Sequence, residues 1–310
     1  MRRPESSFDY SHYSAEELSR EWMFRARVPD HADYFEMWRV ESEEARAVTH
    51  GLLNIQYGEH PKERLDLFFP EGVDQAPLLV FSHGGYWQAM SKEYFSFVAR
   101  PYVERGIAVA IVGHPLCPEV RVRDIVSANG RAVRFLSEGV VEAGFLPTRI
   151  VVSGHSAGGQ VSAFFAMQDW PGFDLPEETV YAAVSISPIL DLESLVSTPI
   201  NEKLGLTAET AREVSPIRFV PRPGAPLIPL AFVTGGEESP LLLRQQAEFA
   251  QLWRDAGGET ICLAPEGRHH FDIVQTLARP GEALFEITWE LLTRETGRFF
   301  ATQPKAARGS

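Results

Sequence analysis

Cysteine is nearly absent from the chain. Cys117 and Cys262 are the only two in 310 residues, far apart and in neither a CxxC nor a zinc-type spacing. That argues against a disulfide-stapled scaffold and a cysteine-built metal centre, and two free thiols in a reducing compartment are expected. Basic charge is also short: Lys and Arg number 29 against 42 Asp and Glu, for a formal net charge of -13. The concentrated basic face that nucleic acid or an anionic membrane requires is therefore not expected. No stretch approaches the ~20 apolar residues of a membrane span. The opening MRRPESSFDYSHYSAEELSREW lacks the apolar middle of a signal peptide, so a cytoplasmic location is expected. There is no HExxH, no histidine pair at ligand spacing on a helix, and no G-x-G-x-x-G phosphate loop. No metal and no cofactor are expected.

What is present is apolar residues, 44% of the chain, enough for one large core. Residues 1–50 read as an N-terminal helical extension. Ser14 with Glu17 makes a capping box, and Pro29-Asp30 breaks the pattern before a second helix. In that second segment Tyr34, Phe35, Trp38, Ala45 and Val48 fall near helical spacing and should cover something, either the active site as a lid or a subunit contact.

From residue 51 short apolar runs alternate with longer amphipathic stretches. Strands are expected at 52–57, 64–69, 77–82, 107–113, 149–154, 180–187, 226–235 and 259–265, the first two as an antiparallel pair around Gly58 and Pro61. Helices are expected at 93–104, 121–143, 157–169, 241–256 and 282–300. Alternation of this kind implies an α/β fold with a mostly parallel central sheet of about eight strands and helices on both faces. One catalytic domain over 51–300 is expected, followed by a polar, disordered tail at 301–310. Ligands of such a sheet bind at the carboxyl ends of its strands.

GHSAGG at 154–159 matches G-x-S-x-G and falls between a strand and a helix, the place of a nucleophile elbow. Ser156 is the candidate nucleophile, in a sharp turn that needs small flanking residues. HGGYW at 83–87 follows the third strand. An HGG loop there offers amide donors to a developing oxyanion, with Gly84, Gly85 and the Ala157 amide as candidates and Tyr86 as a substitute. A serine hydroxyl needs a base, and His269 and His270 are the two histidines beyond the last strand. His155 adjoins the nucleophile but points off the wrong side of the turn, and His83 and His114 have no catalytic partner in sequence. The acid should follow the preceding strand, where TGGEESP supplies Glu237 and Glu238; Asp272 is a competitor. Tyr86, Trp87 and Tyr94 are candidates for an aromatic-lined substrate pocket.

The chain resembles the kynurenine formamidases (arylformamidases) of the α/β-hydrolase superfamily. The likeness rests on HGGYWQ (83–88), PLCPEVRVRDIV (115–126), SGHSAGG (153–159), NEKLGLT (201–207), GGEESPLLLRQQAEF (235–249) and GRHHFDIV (267–274), in that order. In that family the histidine directly before Phe-Asp is catalytic, which selects His270, and the acid precedes Ser-Pro, which selects Glu238. The family commonly carries aspartate there. The resemblance implies an α/β-hydrolase fold and a Ser156-Glu238-His270 triad that hydrolyses N-formyl-kynurenine to kynurenine and formate. The broader alternative is a carboxylesterase or amidase acting on another small aromatic ester or amide. The expected partner is that small molecule, with neither nucleic acid nor membrane, and self-association as a homo-oligomer is left open.

Overall fold

Eight strands, all joined in one sheet, carry the architecture of the computed structural model, which describes residues 8–221 and 223–294. They are β1 (Gly51–Gln56), β2 (Arg64–Phe68), β3 (Gln75–Ser82), β4 (Ala108–Val112), β5 (Leu146–His155), β6 (Ala182–Ile186), β7 (Leu230–Val233) and β8 (Thr260–Leu263), in the spatial order β1-β2-β4-β3-β5-β6-β7-β8. β1 and β2 form an antiparallel pair, and β2 is antiparallel to β4. Every pairing from β4 through β8 is parallel. This is an α/β-hydrolase fold. The continuous apolar runs AVAIV of β4 and AAVSI of β6 are buried along their whole length, as strands covered on both faces must be. Asp66, buried in β2, is matched by Lys92 at 2.6 Å, since a charge removed from water needs a partner.

The helices are α1 (Ala15–Trp22), α2 (Phe24–Arg27), α3 (His31–Val48), α4 (Ala99–Val103), α5 (Val122–Ser137), α6 (Ala157–Phe165), α7 (Asn201–Leu204), α8 (Ala208–Glu213), α9 (Pro240–Asp255) and α10 (Ala283–Thr293). The Ser14/Glu17 capping box starts α1 as expected, and the break at Pro29-Asp30 precedes α3. On α3 the buried face is Trp38, Ser42 and Ala45. Val48 is 65% exposed, against expectation, because ten residues beyond Trp38 it lies about 80° off that face at 3.6 residues per turn.

Residues 93–104 form 3-10 turns at Lys92–Tyr94 and Ser96–Val98 before the single turn of α4, in place of one helix. Phe95 and Phe97 are both buried, and two positions apart they would sit on opposite sides of an α-helix. The last strand-like run before Glu238 narrows to Leu230–Val233 because Pro226 and Pro229 have no N–H to give a ladder. α7 and α8, between β6 and β7, are too short to leave a helical period and have no counterpart in the sequence reading. The expected helix to residue 300 is described only to Thr293, and the expected tail at 301–310 lies outside the described residues. Among the described residues no helix is long and apolar enough to cross a membrane.

Candidate active site

Segments beyond the carboxyl ends of β3, β5 and β8 line one small cavity, and the segment after β7 brings Glu238 against His270. Pairing of Ser82 in β3 with Gly154 in β5 sets the HGGYW loop beside the elbow. Ser156 holds φ 57° and ψ -114°, a left-handed backbone that an L-residue adopts only under constraint. The constraint is close packing. A Cβ on Gly158 would lie 2.0 Å from the Ser82 carbonyl oxygen, and one on Gly84 would lie 3.1 Å from the Cβ of Ser156. The Ser156 N–H is anchored to the Ile186 carbonyl at 2.8 Å. Ala157 opens α6, so its N–H belongs to the first turn, where amides lack helical acceptors.

His270 and Glu238 meet beside this turn. His270 Nδ1–H donates to Glu238 Oε2 at 2.5 Å. The other carboxylate oxygen accepts the Gly235 N–H at 2.9 Å and the Ser187 hydroxyl. Glu238 and His270 are both buried, whereas Glu237 is exposed. Asp272 turns away, with Oδ1 taking the His269 N–H at 2.7 Å. His269 itself contacts the hydroxyl of Tyr34 on α3 at 3.1 Å. Of the two histidines and three acids weighed from sequence, His270 and Glu238 are the pair brought together.

His155 is buried, and its Nε2–H donates to the His270 carbonyl at 2.8 Å, so it braces the loop that carries His270. Burial, and then the neighbouring His270, hold its pKa well below the ordinary value. His83 and His114, for which sequence offered no partner, stack on each other with ring centroids 4.0 Å apart. Burial lowers both, His114 to about 4. Neutral imidazoles thus pack the base of the HGGYW loop without adding charge.

Tyr86 lines the cavity. Trp87 does not: it is 1% exposed and its indole N–H donates to Gln160 Oε1 at 3.1 Å, so it serves the core. Tyr94 also lies outside the lining. Sequence reasoning missed the other wall. Phe24 of α2 covers His270, ring centroids 3.8 Å apart, and stacks on Tyr86. The Tyr86 hydroxyl donates to the Trp22 carbonyl at 2.6 Å and accepts the Phe24 N–H at 3.1 Å. Phe24 stands behind His270, and Arg25, Phe35 and Trp38, with Met90, Phe95 and Phe271, line the rest of a space of only about 20 Å³. The apolar face on residues 34–45 was the available signal; nothing in the sequence singled out Phe24, Arg25 or Ser187.

The BD-FAE family matches residues 65–251. A kynurenine formamidase of Salmo salar is 30% identical over 76% of this chain and 80% of its own length. The chain belongs to the kynurenine formamidase-like family of α/β-hydrolases. A second kynurenine formamidase, from Danio rerio, is 29% identical over 81% of this chain and 85% of its own. Among solved structures, a candidate thioesterase from Silicibacter sp. TM1040 superposes with a TM-score of 0.74 at 31% identity, covering 87% of this chain and 98% of that one. A hyperthermophilic esterase from Pyrobaculum calidifontis, at 19% identity and a TM-score of 0.67 over 89% of this chain and 96% of that one, shares the fold. The protein is a hydrolase of the esterase and formamidase type. Among the described residues no three His, Cys, Asp or Glu side chains gather as a metal-binding group.

Proposed function

We propose that the protein cleaves aryl formamides, N-formyl-kynurenine above all, to the free aryl amine and formate through a Ser156-Glu238-His270 triad. Glu238 holds the His270 ring with Nδ1 protonated, which leaves Nε2 to take the proton of Ser156 as its oxygen attacks the formyl carbon. Amides of Gly84, Gly85 and Ala157 stabilise the resulting oxyanion, a contribution of about 3 kcal/mol per donor in comparable sites. Collapse expels the aryl amine, which takes its proton from His270. Water activated by the same imidazole then releases formate from formyl-Ser156.

The space beside Ser156 carries the reading. At about 20 Å³ it has room on the scale of one water, which suits a formyl group, whose carbonyl carbon bears only hydrogen. A bulky acyl group would have to displace Phe35 or Trp38. Likeness to kynurenine formamidases over some three quarters of the chain points to the same substrate. A cytoplasmic setting suits the two free thiols. The second reading, a carboxylesterase, draws on the isoprenylcysteine alpha-carbonyl methylesterase of Arabidopsis thaliana, 32% identical over 36% of this chain.

The test is kcat/KM for N-formyl-kynurenine against p-nitrophenyl esters and other aryl amides. A marked preference for the formamide is expected, and ester turnover without formamide turnover would move the assignment to the esterase reading. A Ser156→Ala variant should lose about 10³ to 10⁶ in turnover.

A further inference from the structure

A second, open hollow of about 300 Å³ adjoins the small cavity and shares Arg25, Gly85 and Tyr86 with it. Gly85 and Tyr86, which the two spaces share, belong to the loop beside Ser156, so a leaving group longer than the small cavity can reach the hollow. Two cations border it, Arg25 of α2 and Lys203 of α7, against one anion, Glu202. The rest of the wall is uncharged, with Met23, Pro199 and Ile200 as its apolar part. In a chain of net charge -13, an excess of positive charge at the mouth of the site runs against the general balance.

Among the described residues no carboxylate lies within ion-pair distance of Arg25 or Lys203, whereas the adjacent arginines of the N-terminal segment pair with Glu16 and Glu21. Arg25 lays its guanidinium over the Phe35 ring at 5.3 Å. A guanidinium packed through its face keeps its edge N–H donors, the fork that fits a carboxylate, available to a ligand.

We propose that this hollow is a carboxylate-binding subsite, in which Arg25, assisted by Lys203, selects substrates whose leaving group joins an aromatic or aliphatic body to a carboxylate. A monoanion suits it better than a phosphate because Glu202 would oppose a second negative charge. Arg25 is thereby a specificity residue, set beside the reacting atoms by the hydrogen bonds that tie Trp22 and Phe24 to Tyr86. The inference rests on the hydrolase reading of Ser156 but not on the formamide being the preferred acyl group.

Four substrates separate the two questions: 4-acetoxybenzoate, 4-acetoxybenzamide, and the corresponding N-formyl-4-aminobenzoate and N-formyl-4-aminobenzamide. The ratio of kcat/KM between each acid and its amide reads the subsite; the ratio between formamide and ester reads the acyl preference. The acid should be favoured in whichever acyl class is turned over. That preference should fall about tenfold in Arg25→Met with Lys203→Met and be only partly retained in Arg25→Lys, which keeps the charge but not the fork. In the wild-type protein it should also shrink as salt shortens the screening length from about 10 Å to about 3 Å between 0.1 and 1 M. This salt series needs no variant to fold. Equal rates for acid and amide in both classes, or a preference unchanged in the double variant and by salt, would overturn the subsite. Loss of formamide turnover alone would overturn only the proposed substrate.

Discussion

Glu238 Oε2 stands 2.5 Å from His270 Nδ1 while its Oε1 is held by the Gly235 amide. One carboxylate therefore orients the imidazole and is itself fixed by the backbone of the β7 turn. Glu238→Ala should lower kcat by about 10³-fold or more, with KM changed little, since an unsupported imidazole is wrongly oriented. Asp272→Ala, which touches His269 and not His270, should cost far less. Steady-state kinetics on both variants decides between them, and the reverse order would transfer the acid role to Asp272.

Tyr86 fastens the N-terminal segment to the HGGYW loop. Tyr86→Phe keeps the stack on Phe24 but removes both hydrogen bonds of its hydroxyl, to Trp22 and Phe24. Losing them should make opening of this strap about tenfold easier. Trypsin cleavage after Arg25 and Arg27 should accelerate by a similar factor, without a matching loss of global stability. Cleavage at an unchanged rate would mean that the strap is held by packing alone.

Phe24→Ala removes the ring that lies over His270. The enlarged space beside Ser156 should admit butyryl and longer p-nitrophenyl esters that the wild-type protein turns over poorly. A chain-length series on both proteins measures this. An unchanged profile would show that the acyl limit is set elsewhere, at Trp38 or the elbow.

Acid should destabilise the fold through its buried histidines. His83, His114 and His155 all have pKa values below the ordinary 6.5, His114 at about 4, because burial penalises the imidazolium. Between pH 6.5 and 4 the unfolded chain binds protons that the folded chain refuses, so stability falls as pH falls through that window. For His114 the shift corresponds to on the order of 3 kcal/mol. Urea denaturation at pH 7.5, 6 and 5 should show a falling midpoint, flattened in His114→Gln. A midpoint constant across this range would mean that these histidines are protonated in the fold.

Much of the hydrolase framework is local and therefore legible in the chain itself. G-x-S-x-G between a strand and a helix, HGG after the third strand and the buried strand runs each follow from short-range pattern, since period and turn chemistry act over a few residues. The capping box at Ser14 and the break at Pro29-Asp30 belong to the same class. Where the sequence reading missed, competing tertiary demands won. Phe95 and Phe97 both had to reach the core, which broke an expected helix into turns, and Trp87 went to Gln160 although it stands in the HGGYW motif.

What the residues determined by themselves is the sheet, the elbow and the set of candidate groups, because strands and turns are chosen by neighbours in the chain. Only the tertiary structure decided which candidates meet. It put Glu238 rather than Glu237 against His270, aimed Asp272 at the His269 amide, and laid Phe24 and Arg25 over a site more than a hundred residues away in the chain. Such contacts depend on the angles at which α2 and the β7 and β8 loops return to the sheet. Those angles are settled by packing of the whole core and leave no periodic trace in the sequence.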